Sequence, residues 1–290
     1  MRPLRDMDSI QIEITNACVN SCSNCTRFCG HHRQPFFMSP AQFRLAVDSL
    51  VDFPRMVGVM GGEPLLHPQF EDFCHYLHQR IPPSRCGLWS TFPRGGEHYA
   101  RLITETFGNV LLNDHSLDGG IPHAPILVAA RECLREEEAW YFIHHCLFQN
   151  AWSASITPKG AYFCEVAAAL DILLDVNRGW PVVPGWWEKS PRHFRSQIDA
   201  FCLNCGGALR CSPRLDIEGI DDVSPSWLEK LQQIGSPKIN AGKYRLHQAG
   251  ARSDNSINTF RKDKMYFHKI AAKYGITLVT QPNGFLRPVL

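Results

Sequence analysis

The chain has no apolar run of about 18 residues, the length a membrane-spanning helix requires. Its first residues, Met1 to Asp8, carry charges of both signs and no apolar signal core. A cytoplasmic location is the expectation from both absences. The sequence also lacks the bias of a disordered chain, with 44% hydrophobic and 20% charged residues, ordinary values for a globular protein. A length of 290 residues fits roughly two structural units and suffices for a full core. Net charge is low as well, at +2, but it is unevenly spread. Residues 1–235 hold 20 Lys and Arg against 26 Asp and Glu, a net of −6, whereas residues 236–290 hold 10 against 2, a net of +8. Such an imbalance suggests that the tail faces an anionic partner or substrate, or docks on the acidic body.

What the sequence does have is cysteine, twelve of them. In a small secreted domain that number would read as a disulfide set; in an intracellular chain of this size, grouped spacing points to metal. The densest group is Cys18-Val19-Asn20-Ser21-Cys22-Ser23-Asn24-Cys25, directly after an apolar run. Thiolates are the usual ligands of iron–sulfur clusters, and a [4Fe-4S] cube has four irons, so three cysteines leave one iron open to a substrate or cofactor. A zinc knuckle and three unrelated buried thiols are the alternatives.

The Cys-x3-Cys-x2-Cys spacing resembles the signature of the radical S-adenosylmethionine (radical SAM) enzymes. The resemblance extends to Gly61-Gly62-Glu63-Pro64, which follows the apolar stretch Met56 to Met60 and is similar to the GGEP motif of that family. It implies that Cys18, Cys22 and Cys25 hold a [4Fe-4S] cluster whose open iron chelates SAM. Gly61, Gly62 and Glu63 would contact the methionyl amino group, and the chain would be oxygen-sensitive. Ser23 stands where family members usually carry an aromatic residue, and Phe28 is the candidate substitute. Cys29 reads as a bystander, since a fourth ligand would close the SAM site. His31 and His32 read as loop residues near the site.

Alternation of apolar and polar residues predicts a strand over Ser9–Thr15. Ser39-Pro40 opens a helix with Phe43, Leu45, Ala46 and Leu50 on its packing face. Further strands are predicted at 55–60, 86–91, 109–112, 126–129 and 152–156, with helices at 68–79, 97–106 and 136–148 between them. Strands alternating with helices indicate an α/β chain with a parallel sheet, which resembles the partial (β/α)6 TIM-like barrel of radical SAM enzymes. Ser90, Thr91, Asn113 and Asp114 fall at strand carboxyl ends, where barrel enzymes assemble their sites, and resemble SAM-contacting positions. A plain turn role is equally open for Asn113 and Asp114.

A second cysteine group follows. Pro158-Lys159-Gly160 is a turn leading to Cys164 and a helix over 165–174, and Cys202, Cys205 and Cys211 come after a Trp- and Pro-rich connection. This region is similar to the SPASM/twitch auxiliary-cluster region, which implies a second [4Fe-4S] cluster on Cys164, Cys202, Cys205 and Cys211. A four-cysteine zinc site and unligated thiols are the alternatives. Cys74, Cys86, Cys133 and Cys146 read as small buried residues in strand or helix interiors, among which a hydrogen-atom donor could lie. An acidic link at 216–222 and a short helix from Ser224-Pro225 precede a helix from Asn255. The latter has one apolar stripe (Ile257, Phe260, Phe267, Ile270, Tyr274), and Lys262, Lys269 and Lys273 lie on another face.

The expected organisation is a core barrel over 1–157, an auxiliary-cluster region over 158–215 and a basic extension over 216–290. The expected function is reductive SAM cleavage and hydrogen abstraction from an anionic substrate, a nucleotide, sugar nucleotide or nucleic-acid base, giving isomerisation, epimerisation or oxidation. An electron donor such as flavodoxin or ferredoxin is implied, with nucleic acid a candidate partner and no membrane. Peptide maturation is the second expectation, weakened because only eight residues precede Ser9. The rival from another class is a zinc protein that grips nucleic acid.

Overall fold

In the computed structural model, residues 1–113, 120–247, 277–280 and 286–289 are described. Strand β1 (Ser9–Thr15) owes its extended form to Ile10, Ile12 and Ile14, whose branched side chains suit a pleated surface. Every residue of the strand, polar or apolar, is buried. Both faces are covered, as central parallel strands require, so Gln11 and Glu13 on the second face are interior polar groups.

The chain continues through α1 (Pro40–Asp48), β2 (Met56–Gly61), α2 (Phe70–Arg80), β3 (Cys86–Ser90), α3 (Ala100–Thr106) and β4 (Asn109–Leu112). Ser39 caps α1 in a reciprocal capping box with Gln42. Phe43 stacks on Phe73 at 4.1 Å between ring centroids, tying α1 to α2. Next come β5 (Pro122–His123), α4 (Ala130–Cys133), α5 (Glu136–His144), α6 (Leu147–Ala151), β6 (Ser153–Thr157), β7 (Gly160–Tyr162), α7 (Glu165–Leu174) and α8 (Arg195–Phe201). The final stretch holds β8 (Arg214–Leu215), β9 (Asp221–Val223), α9 (Pro225–Gln233), α10 (Pro237–Asn240), β10 (Tyr244–Leu246), β11 (Thr277–Thr280) and β12 (Leu286–Val289).

The main sheet has the order β11-β12-β4-β3-β2-β1-β6-β7. Its contiguous centre, β4-β3-β2-β1-β6, is parallel, while β7, β12 and β11 add antiparallel margins. The α/β class with a parallel core is therefore as the alternation predicts, but the strand expected at 126–129 is absent. Those residues form a turn that stays buried. Their backbone groups are satisfied by a distant segment instead of a ladder: Gly206 N–H donates to the Ile126 carbonyl and Ser224 N–H to that of Leu127. The chain consequently leaves β4 and rejoins the sheet on the far side of β1. Strand order reverses between β1 and β6, and in open α/β sheets ligands bind at such a switch point, outside the strands' carboxyl ends.

The helix expected over 136–148 is broken: α5 ends at His144 and Cys146 caps α6. Asp114, His115 and the predicted basic helix from Asn255 with its lysines lie outside the described residues. Among the described residues no helix is long and apolar enough to cross a membrane.

Candidate functional site

β1 delivers the chain into the cysteine loop at the switch point, and β2 delivers Gly61 to Glu63 beside it. Gly62 N–H donates to the Thr15 carbonyl at 2.8 Å and Glu63 N–H to the Ala17 carbonyl at 2.7 Å, one residue before Cys18. This backbone seam explains both glycines. A Cβ on Gly61 would lie 2.1 Å from the Thr15 carbonyl oxygen, and one on Gly62 would lie 2.3 Å from that of Ala17. The two strand ends approach too closely for any side chain.

Glu63 is fully buried, and its carboxylate accepts four hydrogen bonds. Ser90 Oγ (2.8 Å) and Leu65 N–H (3.0 Å) reach one oxygen, and Thr91 N–H (2.7 Å) and Oγ1 (2.8 Å) reach the other. Burial still raises its pKa above the usual carboxylate value, because these donors offset only part of the desolvation. Ser90 and Thr91, expected to contact a cofactor, are thus brought into the site as anchors of Glu63. Asn113 joins them through its N–H, which donates to the Ser90 carbonyl at 2.9 Å.

Cys18, Cys22 and Cys25 are half-buried on their loop. The Cys29 thiol hydrogen-bonds to Cys18 and Cys25 and draws both below the usual thiol value against the opposing effect of burial. Its own pKa is pushed well up by the same two contacts. Burial pushes Cys22 up. Cys29, which the spacing leaves as a bystander, therefore touches two of the three thiols. Three half-buried thiols on one loop are a donor set that suits soft metal chemistry. Among the described residues no group of three or more His, Cys, Asp or Glu is placed to hold a single metal ion.

The loop is clamped by a segment that sequence reasoning treated as a tail. Ser23 is fully buried. Its N–H donates to the Asp216 carbonyl at 2.8 Å, and its Oγ accepts from Ile220 N–H at 3.0 Å. An aromatic side chain there would collide with this segment; Phe28, buried with a left-handed φ of 55°, belongs to the core. Asn24 pairs reciprocally with Asp222, donating from Nδ2 at 3.0 Å and accepting from the Asp222 N–H at 2.9 Å. Lys238 Nζ donates to the Cys22 carbonyl at 2.7 Å and to Asp221 at 2.9 Å. His31 lies between Asp221 and Ser236, 2.7 Å from each, so it is a structural bridge. Burial works to raise the Asp221 pKa, but His31 and Lys238 together hold it below the usual range. Burial lowers His32 to about 4, and His31 adds to the shift.

On the other side, Arg27 is buried between Glu13 of β1 (3.1 Å) and Glu165 of α7 (3.4 Å). Ser153 Oγ also donates to Glu165, at 2.7 Å. Arg27 follows Cys25 by two residues and pairs with Glu165, the residue after Cys164, so it ties the two cysteine groups together through the interior. Of the second group, Cys164, Cys202 and Cys205 line one cavity. Cys211 does not join them: it packs in a separate small cluster with Leu209 and Cys133, 3.9 Å from His247 Nε2.

No family model and no characterised protein matches the sequence. Two solved structures of BtrN are similar in part. One, a complex with AdoMet and 2-DOIA, has a TM-score of 0.44 and 15% identity, covering 69% of this chain and 92% of that one. The other, a selenomethionine form in an open conformation, has a TM-score of 0.40 and 16% identity, covering 70% and 87%. A likeness of this degree extends no function to the chain, and its chemistry has to be read from its own residues.

Proposed function

We propose that the chain is a radical SAM enzyme. The observation that carries this reading is the backbone seam between the cysteine loop and Gly61 to Glu63, which sets three half-buried thiols beside a side-chain-free turn at the sheet's switch point. A [4Fe-4S] cluster on Cys18, Cys22 and Cys25, when bound, supplies the electron that splits SAM into methionine and a 5'-deoxyadenosyl radical. The protein's part is orientation and exclusion. Gly61 and Gly62 let the end of β2 lie directly against the backbone that leads into the cysteine loop. Glu63, held by Ser90, Thr91 and Leu65, fixes the turn that follows. Lys238 and Asp221 fix the loop that carries Cys22, in an interior with little access for water.

The substrate in this reading is an anionic small molecule, a nucleotide or sugar nucleotide, or a base within nucleic acid. It loses a hydrogen from carbon on the way to isomerisation, epimerisation or oxidation. Its support is the excess of cations in residues 236–290, 10 Lys and Arg against 2 Asp and Glu.

Anaerobic reconstitution with iron and sulfide, followed by dithionite and SAM, tests the reading by chromatography of the products. The native chain should release 5'-deoxyadenosine, and the variant with Cys18, Cys22 and Cys25 replaced by Ala should release none. Zinc as the sole bound metal, with no 5'-deoxyadenosine formed, would overturn it.

A further inference from the structure

Beneath α7 the structure holds a cavity whose wall carries four thiols, those of Cys146, Cys164, Cys202 and Cys205, set among Phe148, Phe163, Leu170 and Phe201. The thiols come from three separate places in the fold. Cys146 is the N-cap of α6 and Cys164 the N-cap of α7, while Cys202 and Cys205 bracket the short turn that follows α8. Cys146, Cys164 and Cys205 sit where backbone amides are free to face a sulfur. Gly207 N–H donates to Cys205 Sγ at 3.3 Å. The amides of Phe148 and Gln149 face Cys146, and that of Ala167 faces Cys164, more loosely than a full capping hydrogen bond.

The chamber around the four thiols is lined almost wholly by apolar side chains. Thiolates in such an apolar chamber are tolerable only when a cation takes up their charge. The thiols are not gathered closely enough to close on one ion, whereas a cube takes one thiolate per iron. Cys211, the nearest match by spacing along the chain, packs in the separate cluster with Cys133.

We propose that this cavity is an iron–sulfur site ligated by Cys146, Cys164, Cys202 and Cys205, with Cys211 outside it. The choice of iron–sulfur chemistry rests on the proposed function; the choice of ligands rests on the cavity. Binding releases the four thiol protons to solvent and involves no net redox change in the protein. Arg27, two residues after Cys25 and paired with Glu165, which follows Cys164, is a buried cation that links this site to the cysteine loop.

The test uses the full chain with Cys18, Cys22 and Cys25 replaced by Ala, so that no metal at the loop is counted. After anaerobic reconstitution this protein should hold about four irons, as one cube requires, with matching acid-labile sulfide. Adding Cys211→Ser should leave iron, sulfide and the electron paramagnetic resonance spectrum of the reduced protein unchanged. Adding Cys146→Ser should remove most of the iron or shift the g values. Cys146→Asp, which keeps a ligating atom, should hold iron with shifted g values even if the serine variant folds poorly. Absence of iron from the triple variant, binding of zinc alone, loss of the cluster on Cys211→Ser, or unchanged spectra in both Cys146 variants would each overturn the assignment. Failure of the proposed function would appear separately, as absence of 5'-deoxyadenosine from the native chain.

Discussion

At the scale of single residues, Gly62 shows how little freedom the site has. A methyl group there meets the Ala17 carbonyl at 2.3 Å, and a backbone atom in a seam between two strands cannot move aside as a side-chain tip can. Gly62→Ala should therefore push the cysteine loop off β2 and cost about 1–3 kcal/mol, the usual range for overpacking. Iron bound at the loop and 5'-deoxyadenosine release should both fall. Wild-type iron content and release rate in Gly62→Ala would show that the seam is not needed. Ser23 teaches the reverse lesson. Its smallness looks like a defect in the motif, but it lets the chain at 216–220 lie directly on the loop.

At the scale of elements, the clamp made by β9 and α10 is the feature that local sequence conceals most. Asp221 sits at the first position of β9 and meets His31, Lys238 and Asn24 at once. Asp221→Asn leaves a buried ammonium without its carboxylate, and breaking such a pair costs about 3–5 kcal/mol. Urea unfolding at neutral pH should show a clearly lower midpoint, and Lys238→Met in the same background should recover part of it by removing the orphaned charge. A midpoint that does not move would mean that the clamp contributes nothing to stability. From sequence, His31 reads as a loop residue and Asp221 and Asp222 as part of an acidic link. Their partners lie about two hundred positions away, beyond the reach of any periodicity.

At the scale of the whole molecule, Glu13, Arg27 and Glu165 join the first strand, the cysteine loop and α7 through the interior. Burial pushes the Glu13 carboxyl from 4.5 to about 7, although Arg27 pulls it down. Its proton is thus held more tightly in the folded chain than in the unfolded one. The stability this adds is fully present below about pH 4.5 and is lost as pH rises through about 7. Glu13→Gln should flatten that part of the stability profile, measured by urea unfolding at pH 5, 6, 7 and 8; an unchanged slope would remove Glu13 as its source. The sequence by itself determined the cysteine triplet, the Gly61 to Glu63 turn and the strands that carry them, because each is written in neighbouring residues as spacing, alternation or an N-cap. It also determined the α/β class through the regular alternation of strands and helices. Only the tertiary structure decided that β6 returns beside β1, that residues 126–129 satisfy their backbone on Gly206 and Ser224, and that Cys146 lies with Cys164 while Cys211 does not. Those outcomes depend on which distant surfaces bury one another, and the burial of apolar area has no direction along the chain.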